Sequence, residues 1–108
     1  MIVHVDVSSR TVSLSDPYDF NAFHVAAAHT ASAGDIVAVL AEDGAEADPD
    51  HVFVAVDALR RWSGRSGDPW EKGFTAMCEY AEREGWTSPD GAMIRAHLER
   101  TGRGSAPA

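Results

Sequence analysis

The chain opens on a strict alternation. In MIVHVDV, Val3, Val5 and Val7 fall on one side while Ile2, His4 and Asp6 fall on the other, which is the period of a half-buried strand. SSR supplies a turn and TVSL runs back, so residues 1–15 predict an N-terminal β-hairpin. Asp16 and Pro17 then have the form of a helix cap followed by proline at the first helical position. In residues 18–34, Phe20, Phe23 and Ala27 recur at i, i+3 and i+7 among helix-favouring alanines. The reading leans to helix, with a strand at FHVAAAH as the alternative.

DIVAVLAEDG continues in the same vein. Asp35 offers a cap, Ile36, Val39 and Leu40 share a helical face, and Gly44 offers a stop. A short strand is the alternative there. Residues 41–50 hold five acids and a proline and predict a solvated loop; their spacing does not fit a calcium-binding EF-hand. HVFVAV resumes strand character at residues 51–56. Asp57 then caps ALRRW, with Leu59 and Trp62 facing inward and Asp57 within reach of Arg61.

The C-terminal third carries the plainest helical signal. Asp68, Pro69 and Glu71 give a cap, a first-turn proline and a first-turn acid. Phe74, Met77, Cys78 and Ala81 line one face, Gly85 ends the helix, and Trp86 folds back on its last turn. A second helix is expected after Ser88 and Pro89, burying Ile94 and Leu98, pairing Arg95 with Glu99 outside, and stopping at Gly102. The pattern as a whole predicts an α+β fold. A small antiparallel sheet, built from the hairpin and residues 51–56, is packed by helices and closed by an αα-hairpin at 69–101. Residues 1–101 are expected to form one domain and 102–108 a flexible tail.

Composition narrows the uses of such a fold. The 108 residues are 44% hydrophobic and 24% charged, as in an ordinary globular protein with one core. The net charge is −8, which repels polyphosphate and argues against general binding to nucleic acid or anionic membrane. It is unevenly spread. Residues 1–57 hold ten acids against Arg10 alone, whereas residues 58–108 hold eight basic residues against seven acids, a polarity that favours head-to-tail self-association. One cysteine, Cys78, permits no intrachain disulfide. No segment has the form of a signal peptide or the length of a membrane span, so a cytoplasmic location is expected.

Candidate chemistry is sparse. In WSGRSGDPW, residues 62–70, Asp68 would occupy the free amides of the helix start and Pro69 removes one. A phosphate site is therefore not expected, and the glycine spacing and lysine of a Walker loop are missing. Arg65 remains, between Trp62 and Trp70, able to stack on a planar or anionic ligand. His24 and His29 are five residues apart, about 140° around a helix, and do not converge on a metal. No metal and no cofactor are expected. His4 and Asp6 share a strand face and are the acid–base candidates, provided that another histidine folds beside them. The proposed recognition positions of a helix-turn-helix would be Pro89, Asp90, Gly91 and Ala92, which do not read base edges.

The leading expectation is an interaction or accessory module, a homodimer or a subunit beside another protein, with the aromatic corner Trp62, Trp70 and Trp86 and the strand at 51–56 as its surfaces. The alternative is a small-molecule-binding protein or enzyme whose pocket lies between sheet and helices, using His4, Asp6 and Arg65.

Overall fold

The computed structural model describes residues 1–64 and 67–101; Arg65 and the tail 102–108 lie outside them. It is an α+β fold with six strands in one mixed sheet and three α-helices. The strands are β1 (Ile2–Asp6), β2 (Thr11–Ser15), β3 (His24–Ala28), β4 (Gly44–Asp48), β5 (His51–Ala55) and β6 (Met93–Thr101), in the spatial order β2-β1-β3-β6-β5-β4. The helices are α1 (Ala33–Leu40), α2 (Val56–Ser63) and α3 (Asp68–Arg83).

β1 and β2 pair antiparallel, with Val3 opposite Leu14 and Val5 opposite Val12. The sheet is nevertheless not purely antiparallel: β1, β3 and β6 run parallel at its centre. β5 and β4 then complete it antiparallel.

Two local expectations are corrected first. Residues 24–28 form β3 rather than helix, because Val25 and Ala27 alternate into the core between two strands. The acidic stretch is not all loop, since Gly44–Asp48 forms the edge strand β4. That edge tolerates its charges because they point to water, and the bulge between Glu46 and Asp48 blunts it.

The largest correction concerns the end of the chain. There is no αα-hairpin: the predicted second helix is β6, held between β3 and β5. Ile94, Ala96 and Leu98 alternate inward, while Arg95, His97 and Glu99 point the other way. Ile94 and Leu98 also satisfy the i, i+4 helical spacing, and only burial at Ala96 separates the two patterns.

Helix starts differ in detail from expectation. Ser32, not Asp35, caps α1; its hydroxyl accepts from the Asp35 amide, and Asp35 accepts the Ser32 amide in return. Gly67 occupies the N-cap of α3, which places Asp68 in the first turn. Asp57 reaches Arg60, and Arg61 pairs instead with Asp43 at 2.7 Å.

The core gathers Val3, Val25, Val52, Val54 and Ile94 from the sheet with Ile36, Leu59, Trp70 and Phe74 from the helices. α1 lies against β1 and β2 as well as β4 and β5, so the sheet curls around it. α3 joins through large side chains. Trp70 is fully buried, stacks on Phe74 at 4.7 Å and donates its indole N–H to the Pro17 carbonyl at 2.9 Å. Gly73 explains how α3 comes close enough: a Cβ there would sit 2.2 Å from the Phe20 ring.

Candidate functional site

α3 ends in a paired turn that sets the site. Gly85 takes a positive φ of 77°, its amide donates to Glu82, and the Trp86 amide donates to Ala81 at 2.8 Å. This double closure needs the left-handed conformation that glycine adopts without strain. It folds Trp86 back toward Tyr80, ring to ring at 5.7 Å. Trp86 is then tied to β6, because its carbonyl accepts the Arg95 amide at 2.7 Å. Below it, the Ser88 hydroxyl accepts the Met93 amide and donates to Asp90, whose carboxyl is held below the usual range by that bond and by the Ala92 amide.

Between this corner and the sheet lies a cleft of about 830 Å³, within the usual range for small-molecule sites. Phe20 and Phe23 form one wall, the α3 flank from Gly73 to Tyr80 another, and Ile94 part of the floor. The polar lining is Asn21, His51, Arg83, Arg95 and His97. The Arg83 guanidinium stands 5.7 Å over the Tyr80 ring, a cation–π contact that orients it at the mouth. Tyr80 and Trp86 are 49% and 38% exposed, which leaves aromatic surface available to a ligand. Among the described residues no carboxylate lines this cleft, in a chain that carries 17 acids against 9 lysines and arginines.

The chain matches no protein-family model, no curated protein and no solved structure. What the site can do rests on its geometry.

The histidines of the cleft are positioned by the sheet. His51 and His97 are direct partners in the β5–β6 register, with ring centroids 5.5 Å apart. Both Asp48 carboxylate oxygens lie within hydrogen-bonding distance of His51 Nδ1, at 2.9 and 3.1 Å. The His51 bond first, and the Asp50 amide second, hold the Asp48 carboxyl below the usual range. Asp48 is therefore ionised at neutral pH and accepts only, so Nδ1 carries the proton and Nε2 is left open to the cleft when the ring is neutral. Behind His97, Glu99 approaches Nε2 at 3.2 Å.

The residues singled out from the sequence are distributed differently. His4 and Asp6 share the outer face of β1, but His4 Nε2 bonds the Ser15 hydroxyl at 2.8 Å and Asp6 accepts the Ser9 amide. The neighbours of His4 in the sheet are Ser13 and Ala26, so no histidine completes that pair. They line a separate depression near Thr11, Thr30 and Asp35. Trp70 lies inside the core, Trp62 is half-buried against it, and Trp86 lines the cleft.

The sequence does not bring His51, His97, Arg83 and Arg95 together in one site. The polar alternation Arg95, His97, Glu99 was the available signal. Their convergence with His51 depends on strand register, which no spacing along the chain reveals.

Cys78 has the environment expected of a structural thiol. Burial pushes it up to about 11, with Arg60 pulling the other way, so it is protonated at neutral pH. In the folded protein at pH 8, alkylation by iodoacetamide is expected to be at least tenfold slower than after unfolding in urea. Equal rates would contradict the assignment.

Proposed function

We propose that the protein binds a small anionic ligand with an aromatic or apolar body in the cleft between α3 and the β5–β6 part of the sheet. The supporting observation is the reversal of charge in that cleft: among the described residues Arg83, Arg95, His51 and His97 line it with no acid, against a net charge of −8 for the chain. Basic side chains gathered in a concavity with apolar walls retain an anion where the net charge of the chain repels one. Phe20, Phe23 and Trp86 supply flat apolar area for the body of the ligand. Arg95 is the main anchor in this reading, since its backbone is fixed on both sides, by β5 and by the Trp86 carbonyl.

The test is direct. Naphthalene-2-sulfonate, 2-naphthoate and the neutral 2-naphthalenemethanol are titrated by calorimetry into the wild-type protein and Arg95→Met. The anions are expected to saturate one site at least tenfold more tightly than the alcohol, and Arg95→Met to lose about tenfold, or 1.4 kcal/mol. Equal binding of alcohol and anion, or no anion binding, contradicts the proposal. In that case the exposed Tyr80–Trp86 pair becomes the anchor of a protein interface, the reading favoured by the sequence.

A further inference from the structure

Resting on that cleft reading, we propose that ligand capture is coupled to proton uptake by His51 and His97, so that the site binds its anion more tightly as the pH falls and releases it as the pH rises. The charges around the two rings carry the inference. On the α3 side stands Arg83, and on β6 stands Arg95, which share the cleft with the imidazoles. Behind them stand Asp48 on β4, against His51, and Glu99 on β6, against His97. With both imidazoles neutral, the two carboxylates offset part of the charge of the two arginines, and the attraction left for an anion is weak and centred on Arg95. With both protonated, the site carries a surplus of two positive charges.

The sheet sets a limit on protonating the empty cleft. His24 on β3 is the register partner of His97 on its other side, so imidazoles of three adjacent strands stand in one row. Like charges directly across a ladder repel. A bound anion relieves that repulsion, and by reciprocity whatever it contributes to protonation, protonation returns to its binding. Of the other groups nearby, Asp50 is engaged by Arg100 at 3.2 Å, and Tyr80 stands against Trp86 and Arg83. Asp48 and Glu99 stabilise each imidazolium singly but leave none of their charge for the ligand.

The sign follows. A histidine whose proton is held more tightly in the occupied cleft strengthens binding fully below its free-state titration and loses that effect as the pH rises through its bound-state titration. The titration therefore spans the neutral range, in which histidine is the side chain able to change charge.

The experiment titrates naphthalene-2-sulfonate, whose charge is constant over this range, into wild type, His51→Gln, His97→Gln and the double variant at pH 5.5–8.5. In wild type the Kd is expected to rise by about tenfold per pH unit for one linked proton and up to about a hundredfold for two. Each single variant should show a shallower dependence and the double variant almost none, with binding retained through Arg95. Histidine ring NMR signals should titrate at higher pH with the sulfonate bound. A Kd independent of pH, or a slope that survives in the double variant, overturns the proton linkage and leaves the cleft reading standing. Failure to bind at any pH overturns both.

Discussion

Trp70→Ala is expected to destabilise the fold by about 3–5 kcal/mol, the range for removing a large buried ring. Trp70 is wholly inaccessible, lies on Phe74 at 4.7 Å and stands 6.2 Å from Phe20. Removing it leaves a cavity that α3 cannot collapse into, because Gly73 already brings that helix against Phe20. The Pro17 carbonyl also loses its donor. Domains of this size are stable by only about 5–15 kcal/mol, so the variant should be close to unfolding. Urea denaturation followed by circular dichroism measures it. Trp70→Phe separates the two contributions: it keeps a ring on Phe74 and should lose less, mainly the indole hydrogen bond and part of the volume. A loss below about 1 kcal/mol for alanine would contradict the role of this ring as the joint between α3 and the rest.

Ala96→Asp is expected to prevent folding. Ala96 is 1% exposed on the central strand β6, opposite Val52 and among Val54, Leu98 and Val25. A carboxylate there has no partner, and burying an unpaired charge costs several kcal/mol even after relaxation. The substitution also discriminates between the two readings of the C-terminal segment. On a helix that buries Ile94 and Leu98, position 96 lies about 200° around from 94 and faces water, where aspartate is tolerated. A soluble Ala96→Asp protein with an unchanged circular dichroism spectrum would therefore revive the helix. His97→Asp is the matching control, because that side chain is exposed on the other face of the same strand.

Several elements are legible in the sequence because their signals are local. The alternation of Val3, Val5 and Val7 and the turn at Ser8–Arg10 specify a hairpin through nearest neighbours. Gly85 followed by Trp86 specifies a helix end within the six residues Ala81–Trp86, and the structure makes both of its hydrogen bonds. β3 and β6 were not readable in the same way. HVAAA carries alanines that favour helix in isolation, and it becomes a strand because β1 and β6 pair with it from both sides. MIRAHLER satisfies both periods at Ile94 and Leu98, and tertiary pairing decides between them.

The site followed the same division. Trp86 was visible as a candidate because it belongs to a local motif. His51 and His97 are 46 residues apart in the chain and meet only through the β5–β6 register. The charge contrast that marks the cleft is likewise invisible in a composition dominated by acids. His4 and Asp6 are close in sequence and share a strand face, yet each is committed to its own hairpin partner.

The most direct test of the cleft is two-dimensional ¹H–¹⁵N NMR during a titration with naphthalene-2-sulfonate at pH 6, reading the tryptophan indole signals and the backbone amides together. The expected result is a saturable shift of the Trp86 indole N–H and of the amides around Arg95 and His97, while the Trp70 indole, bonded to Pro17, stays in place. Shifts confined to the depression around His4 and Asp6, or no saturable shift at all, would contradict the assignment of the cleft as the binding site.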